Sequence, residues 1–219
     1  MPLARERLIV PEMLDHAPAD VARASLRDLA RINRYLGGYL VLRKLFSSLA
    51  HPHESFSVLD VGAASGDMGA AIRRSFPQAR VTSLDYKIEH LAQAASPKVV
   101  ADAFCLPFRP ASFDFVFSSL FLHHFTDERV VDLFSSFRCI ARRAVLAIDL
   151  DRGPLAYHFL PNTRWLFRWH AITINDGQIS VAAAMKKDEL LALATRAGLE
   201  RAQVRVHRPW SRLSLVARV

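Results

Sequence analysis

Val58-Leu59-Asp60-Val61-Gly62-Ala63-Ala64-Ser65-Gly66-Asp67 decides how this chain is read. A short apolar run ends on an acid, small residues follow, and a helical pattern then runs to residue 76. Small residues between a strand and a helix let a ligand approach the backbone closely, and ligands of open α/β sheets sit at the carboxyl ends of the strands. Gly62, Ala63, Ala64, Ser65 and Gly66 are therefore candidate binding residues, with Asp60 at the strand end. The glycines fall at 62, 66 and 69, which is not the G-x-G-x-x-G spacing that seats a pyrophosphate on a helix N-terminus. The charge of Asp60 would also oppose a pyrophosphate, whereas it suits a ligand that carries an ammonium and a sulfonium.

Outward from this turn, the pattern alternates. Residues 57–61, 79–84, 98–101, 113–117 and 144–148 read as short apolar strands, and residues 66–76, 88–95 and 128–140 as helices. Alternation of this kind predicts a doubly wound α/β fold with a mostly parallel sheet covered on both faces. Near the end, a helix over 187–197 is stopped by Gly198. Two alternating stretches, 203–207 and 213–219, are then joined at Arg208-Pro209-Trp210 and must pair antiparallel, completing seven strands.

Before the turn, Val21, Leu26, Leu29, Ile32, Leu36 and Leu40 recur at helical spacing, and Gly37-Gly38 separates two helices. The expected division is a helical cap over residues 1–50 and a ligand-binding domain over 51–219. Residues 161–177 read as the one long irregular stretch, a candidate lid.

The chain has 219 residues, 51% hydrophobic and 23% charged, which suits one ordinary globular core. No segment reaches the ~20 apolar residues that span a bilayer, and the charged N-terminal stretch does not resemble a secretion signal, so the expected compartment is the cytoplasm. Cys105 and Cys139 define neither a disulfide framework nor a zinc site; buried structural thiols are expected, and no metal. The net charge of +8 raises the possibility of a polyanionic partner. The basic residues are scattered, however, and those between 201 and 218 alternate with apolar ones as on a strand with a solvated face, so a nucleic-acid partner is not expected.

Four blocks resemble the class I S-adenosylmethionine-dependent methyltransferases, and the likeness runs from about residue 50 to the end. LDVGAASG is similar to the family's first motif, with Ala64 where the family usually has its middle glycine. Leu84-Asp85-Tyr86 resembles the ribose-binding block, and Asp102-Ala103-Phe104 the pair that brackets the adenine. The stretch from Phe113 through Ser118 to Phe125 resembles the fourth strand and its extension, and the terminal hairpin resembles the antiparallel seventh strand. The resemblance implies S-adenosylmethionine as cofactor, held by Asp60, residues 62–66, Asp85, Tyr86, Asp102, Ala103, Phe104 and Ser118.

Methyl transfer from a sulfonium needs chiefly a near-attack geometry, and a base only where the acceptor is protonated. His123 and His124 follow the fourth strand and are the candidates for that base, with packing as the competing reading. Arg31 and Arg34 of the cap are candidates to pair with the methionine carboxylate, Arg34 foremost. Phe159, Trp165, Phe167, Trp169 and His170 are either acceptor-pocket or core residues. Asp176-Gly177 with Ser180 forms a late DGxxS pattern, similar to small bacterial methyltransferases of aromatic metabolites. The expected acceptor is a small phenolic, quinol or lipid-like molecule, with O-methylation ahead of C-methylation. An RNA methyltransferase and a catalytically silent binding protein are the alternatives.

Overall fold

The computed structural model describes residues 6–219; residues 1–5, the start of the expected cap and of the stretch read above for a secretion signal, lie outside the described residues. Seven strands form one sheet in the order β3-β2-β1-β4-β5-β7-β6, with β1 at Ser57–Val61, β2 at Arg80–Asp85, β3 at Lys98–Val100 and β4 at Phe113–Ser119. Strand β5 is Ala141–Leu150, β6 is Gln203–His207 and β7 is Arg212–Arg218. Strands β1 to β5 pair parallel, and β7 lies antiparallel between β5 and β6. The doubly wound sheet with its antiparallel terminal hairpin is therefore present as expected.

Strand parity divides the core in two. Leu59, Val61, Val116, Val145 and Leu213 face helices α4 (Asp127–Ile140) and α7 (Lys187–Arg196). Val58, Val81, Phe115, Phe117 and Leu146 face α2 (Gly38–Ser47) and α3 (Asp67–Ser75). On this second face Phe46, Phe56, Phe76 and Phe115 pack with ring centroids 5.3–6.0 Å apart, distances at which edge-to-face contact is favourable. Helix α2 falls within the segment expected to cap the molecule, yet its Val41, Leu42, Leu45 and Phe46 belong to this sheet core.

The cover over the strand ends is built from α1 (Ala19–Tyr35), the segment before it, and helices α5 (Pro154–Phe167) and α6 (Ala171–Ala183). The expected irregular stretch is thus helical, a correction that packing explains. A Cβ on Gly177 would come within 2.4 Å of Leu160 Cδ1, so this glycine permits close contact between α5 and α6 and does not break the helix. The break falls at Arg168, which takes the left-handed conformation at φ +54°. Residues 88–95 are a second correction. Only a 3₁₀ turn, His90–Gln93, forms there. Both cysteines are exposed, contrary to the buried thiols expected.

Candidate functional site

The turn after β1 is held open by backbone conformation. Gly62 and Gly66 have φ of +70° and +72°, and a Cβ on Gly62 would lie 2.4 Å from Phe121, so the ring of Phe121 rests directly on the turn. Ala64 also takes a left-handed conformation, at φ +45°, which is costly for a residue with a side chain. Asp85, at the end of β2, secures this loop: its carboxylate accepts from the amides of Ala64 (3.0 Å) and Lys87 (3.1 Å) and lies 3.4 Å from His90 Nδ1. Burial works to raise its pKa, but the bonds from His90, Lys87 and Ala64 prevail and hold the carboxyl below its ordinary value. The side chain of Asp102 accepts from the amide of Phe104 at 2.9 Å, and the Arg129 guanidinium lies 3.4 Å from the centroid of the Phe104 ring.

These groups form one end of a cavity of about 1020 Å³, at the carboxyl ends of the strands. The other end is apolar, with Ile9, Leu26, Leu29, Leu155, Phe159 and Trp210 in its wall. The cover there is stitched by buried polar contacts. Asp28 of α1 accepts from the amide of His170 at 2.7 Å and from Thr173 Oγ1 at 3.2 Å, both at the start of α6. Asp176 accepts from the amides of Met13 (3.0 Å) and Leu14 (2.9 Å), and Leu8 donates to the Ala182 carbonyl at 3.1 Å. The DGxxS pattern therefore has a structural use. Asp176 docks the N-terminal segment on α6, Gly177 receives Leu160, and Ser180 contacts the carboxylate of Glu12.

A polar cluster stands against this apolar end. Asp149, at the end of β5 and 1% exposed, accepts from the amides of Leu122 (2.9 Å) and Leu150 (2.8 Å) and lies 2.6 Å from His123 Nδ1. His123 Nε2 is 3.6 Å from Glu12 Oε1, and His124 Nδ1 is 3.9 Å from the same oxygen. Burial alone would lower the pKa of His123, but Asp149 and then Glu12 outweigh it and push it up to about 10. A carboxylate oxygen thus stands near each ring nitrogen of His123, that of Asp149 at Nδ1 and that of Glu12 at Nε2.

Asp60 and Arg212 are buried charges of a different kind. Parity places Asp60 on the α2/α3 face, beneath α3, where its Oδ2 has no hydrogen-bond partner and lies 3.4 Å from where a Cβ of Gly69 would be. Burial first, and the nearby charge of Asp67 second, push its pKa up to about 8. Asp60 is not among the residues lining the cavity, and its burial favours the protonated form of its carboxyl. Arg212, expected on a solvated basic face, is 1% exposed. It lines the cavity and donates to Asn33 Oδ1 at 3.2 Å, while its Nη1 has no hydrogen-bond partner.

Of the expected site residues, Gly62, Ala64, Asp85, Tyr86, Asp102, Ala103, Phe104, His123 and His124 line this one cavity. Asp60, Ala63, Ser65, Gly66 and Ser118 lie outside its lining; Gly66 shapes the turn, and Ser118 is 1% exposed within the core. Arg34 is exposed and stacks over Tyr35 at 5.5 Å. Arg31 donates to Asp28 (2.7 Å) and to the Phe167 carbonyl (2.8 Å), which ties α1 to the cover. Trp165 is 77% exposed and Trp169 packs with Phe167, so of the aromatic stretch only Phe159 lines the cavity. Glu12, Asp149 and Arg212 escaped the sequence reading as site residues, and Ser180 entered it only as part of the DGxxS pattern. Asp149 carried a usable signal, since an acid closing a buried apolar strand is the same pattern that drew attention to Asp60 and Asp85.

Residues 58–144 match the family model described as a methyltransferase domain. The malonyl-[acyl-carrier protein] O-methyltransferase of Xylella fastidiosa (strain M23) is 32% identical over 105 residues, 44% of this chain and 35% of that protein. The chain thus spans about a third of the length of the curated relative it matches. A solved plantazolicin methyltransferase, in complex with a triazolic desmethylPZN analog and SAH, superposes with a TM-score of 0.69 over 94% of this chain and 92% of its own, at 13% identity. Human N-acetylserotonin methyltransferase in complex with SAM superposes with a TM-score of 0.65 over 93% of this chain and 60% of its own, at 17% identity. At such identities the two structures establish the fold.

Proposed function

Because residues 58–144 are a methyltransferase domain carried on a class I fold, we propose that the protein transfers the methyl group of S-adenosylmethionine to an oxygen of a small, largely apolar acceptor of the phenolic, quinol or lipid-like kind. The observation that carries this reading is the cavity of about 1020 Å³, with hydrogen-bond acceptors suited to a nucleoside at one end and an apolar chamber at the other. Small-molecule sites usually occupy ~300–1,000 Å³, so the space accommodates a cofactor and a second molecule together.

The residues at the strand ends fit the cofactor's chemistry. Asp85 is a buried carboxylate that faces the cavity, suited to the ribose hydroxyls, and Asp102-Ala103-Phe104 lines the adjoining wall. The unpartnered Nη1 of Arg212 suits the methionine carboxylate, which moves that role from Arg34 to a residue 1% exposed. When bound, the cofactor supplies an activated methyl on a sulfonium leaving group. The chain's own contribution is position: the cover excludes water and confines the acceptor, and Glu12, His123 and His124 form the polar end that receives its hydroxyl. With the cofactor bound, the acceptor oxygen would take the methyl group, S-adenosylhomocysteine would leave, and the hydroxyl proton would pass to the carboxylate of Glu12 or the ring of His124 at that end of the cavity. An RNA acceptor, raised by the +8 charge, is less well supported by an apolar chamber.

Two measurements test the reading. Calorimetry should find S-adenosylmethionine and S-adenosylhomocysteine binding at micromolar concentrations, and a screen of phenols, quinols and acyl lipids should find methyl transfer. Absence of binding at about millimolar ligand would overturn the cofactor assignment. Arg212→Met should weaken S-adenosylhomocysteine about 10-fold, as expected for one lost charge-assisted bond, and leave methylthioadenosine, which lacks the carboxylate, unchanged. Equal losses for both ligands would remove Arg212 from that role.

A further inference from the structure

We propose that Glu12, His123 and His124 form a binding site for a divalent cation of the class that takes imidazole and carboxylate ligands, with zinc as its representative. Each residue offers one donor atom, and the three atoms lie within 4.8 Å of one another. Two of the separations are 3.6 Å, from His123 Nε2 to Glu12 Oε1, and 3.9 Å, from His124 Nδ1 to the same oxygen. Zinc bonds of ~2.0–2.1 Å to nitrogen and oxygen at tetrahedral angles put ligand atoms about 3.3 Å apart. These two pairs are therefore a few tenths of an ångström from ligation distance, and the partly exposed His124 side chain supplies the remaining adjustment.

A second observation comes from behind the ligands. Metal-ligating histidines almost always give their other ring N–H to a carboxylate, which fixes the tautomer and aims the lone pair. Asp149 stands 2.6 Å from His123 Nδ1, is itself held by the amides of Leu122 and Leu150, and so directs Nε2 at Glu12. Glu12 is positioned in turn by Ser180 and by the docking of Met13 and Leu14 on Asp176. Two histidines and one carboxylate, with these outer partners, match a transition-metal site, whereas an oxygen-only magnesium or calcium cage does not.

All three ligands line the cavity, so the fourth position of a tetrahedral cation opens on the chamber. Three protein ligands and one open position are the arrangement of a cation that handles a small molecule. If the acceptor reading above holds, that position takes the acceptor's oxygen, and the cation does what a protein base would otherwise do by favouring the deprotonated hydroxyl.

The test uses tag-free full-length protein stripped with a chelator, then titrated with Zn2+ by calorimetry and with Co2+ by visible absorption. One equivalent should bind at micromolar concentration or tighter, and Co2+ should develop the intense visible bands of a low-coordinate site. Glu12→Gln and His124→Gln should each weaken binding by at least about 10-fold, and Asp149→Asn by a similar factor through His123. S-adenosylhomocysteine affinity, measured on the same samples, reports whether each variant is folded; should Glu12→Gln fail to fold, the partly exposed His124→Gln decides. No binding at about 0.1 mM cation, or undiminished binding in His124→Gln, overturns the site. Zinc binding without any S-adenosylhomocysteine binding would keep the site and sink the methyl-transfer reading instead.

Discussion

The two ends of the cavity are built in opposite ways. At the strand ends, Gly62, Ala64, Asp85 and Asp102 lie at or just beyond the ends of β1, β2 and β3, and the carboxylates of Asp85 and Asp102 accept from backbone amides close by in the chain or in the neighbouring turn. At the covered end, residues 9–14 meet 123–125, 155–160, 176–181 and 209–212, and the contacts are side-chain carboxylates reaching across more than a hundred residues of sequence. The first end is a consequence of local conformation on a shared scaffold, while the second exists only when the cover is docked. The difference implies that cofactor binding and acceptor binding can be altered separately.

The largest effect should come from the strand-end side. Asp85→Asn loses a charged acceptor for two hydroxyls and loosens Ala64, and charge-assisted bonds are worth ~1.5–3 kcal/mol each, so cofactor affinity should fall about 100-fold by calorimetry. A change smaller than a few-fold would mean that the nucleoside is held elsewhere. On the covered side, Ala156→Trp fills part of the apolar chamber from α5. Overpacking of this kind costs ~1–3 kcal/mol, so acceptor kcat/KM should drop ~10-fold or more while the S-adenosylhomocysteine Kd stays within about twofold. Parallel losses in both constants would break the separation of the two ends.

Asp60 tests the scaffold beneath them. Its pKa is about 8 in the folded protein against an ordinary 3.8, so the folded state holds the proton more tightly and loses stability as pH rises between these values. Asp60→Asn removes that loss. Its Tm relative to wild type should shift in the variant's favour by several °C between pH 5 and pH 9, given ~2–4 °C per kcal/mol for a chain of this size. A gap that is constant with pH would mean that Asp60 is ionised and solvated. The smallest effect belongs to Ala64→Gly. Relief of a left-handed alanine, ~1 kcal/mol, is largely cancelled by the added freedom of glycine in the unfolded chain, so Tm should move by no more than about 2 °C. A larger fall would assign the Ala64 methyl group a packing role.

Much of the fold was legible because its strands are short, buried and separated by turns that need particular residues. The 58–67 stretch, the strand at 203–207 and the helix stop at Gly198 all carry such local signals. The failures are just as specific. Pro161 and Gly177 looked like breakers, yet α5 and α6 form because their mutual packing, closest at Gly177 and Leu160, offsets weak helix propensity. Arg212 looked solvated because its strand alternates basic and apolar residues, but the face on which it falls is covered by α1.

The order of elements, the parallel sheet with its antiparallel end, the glycine turn and Asp85 follow from residues within a few positions of one another, since period, turn conformation and strand-end acids act locally. Which charges are buried, which are neutral and which meet in the cavity was decided by tertiary structure alone. Asp60 was drawn beneath α3, outside the cavity lining, while Glu12 was brought to His123 by the docking of residues 13 and 14 on α6. Both outcomes depend on the burial and Coulomb energies of groups far apart in the chain, and those energies exist only once the sheet and its cover have closed around them.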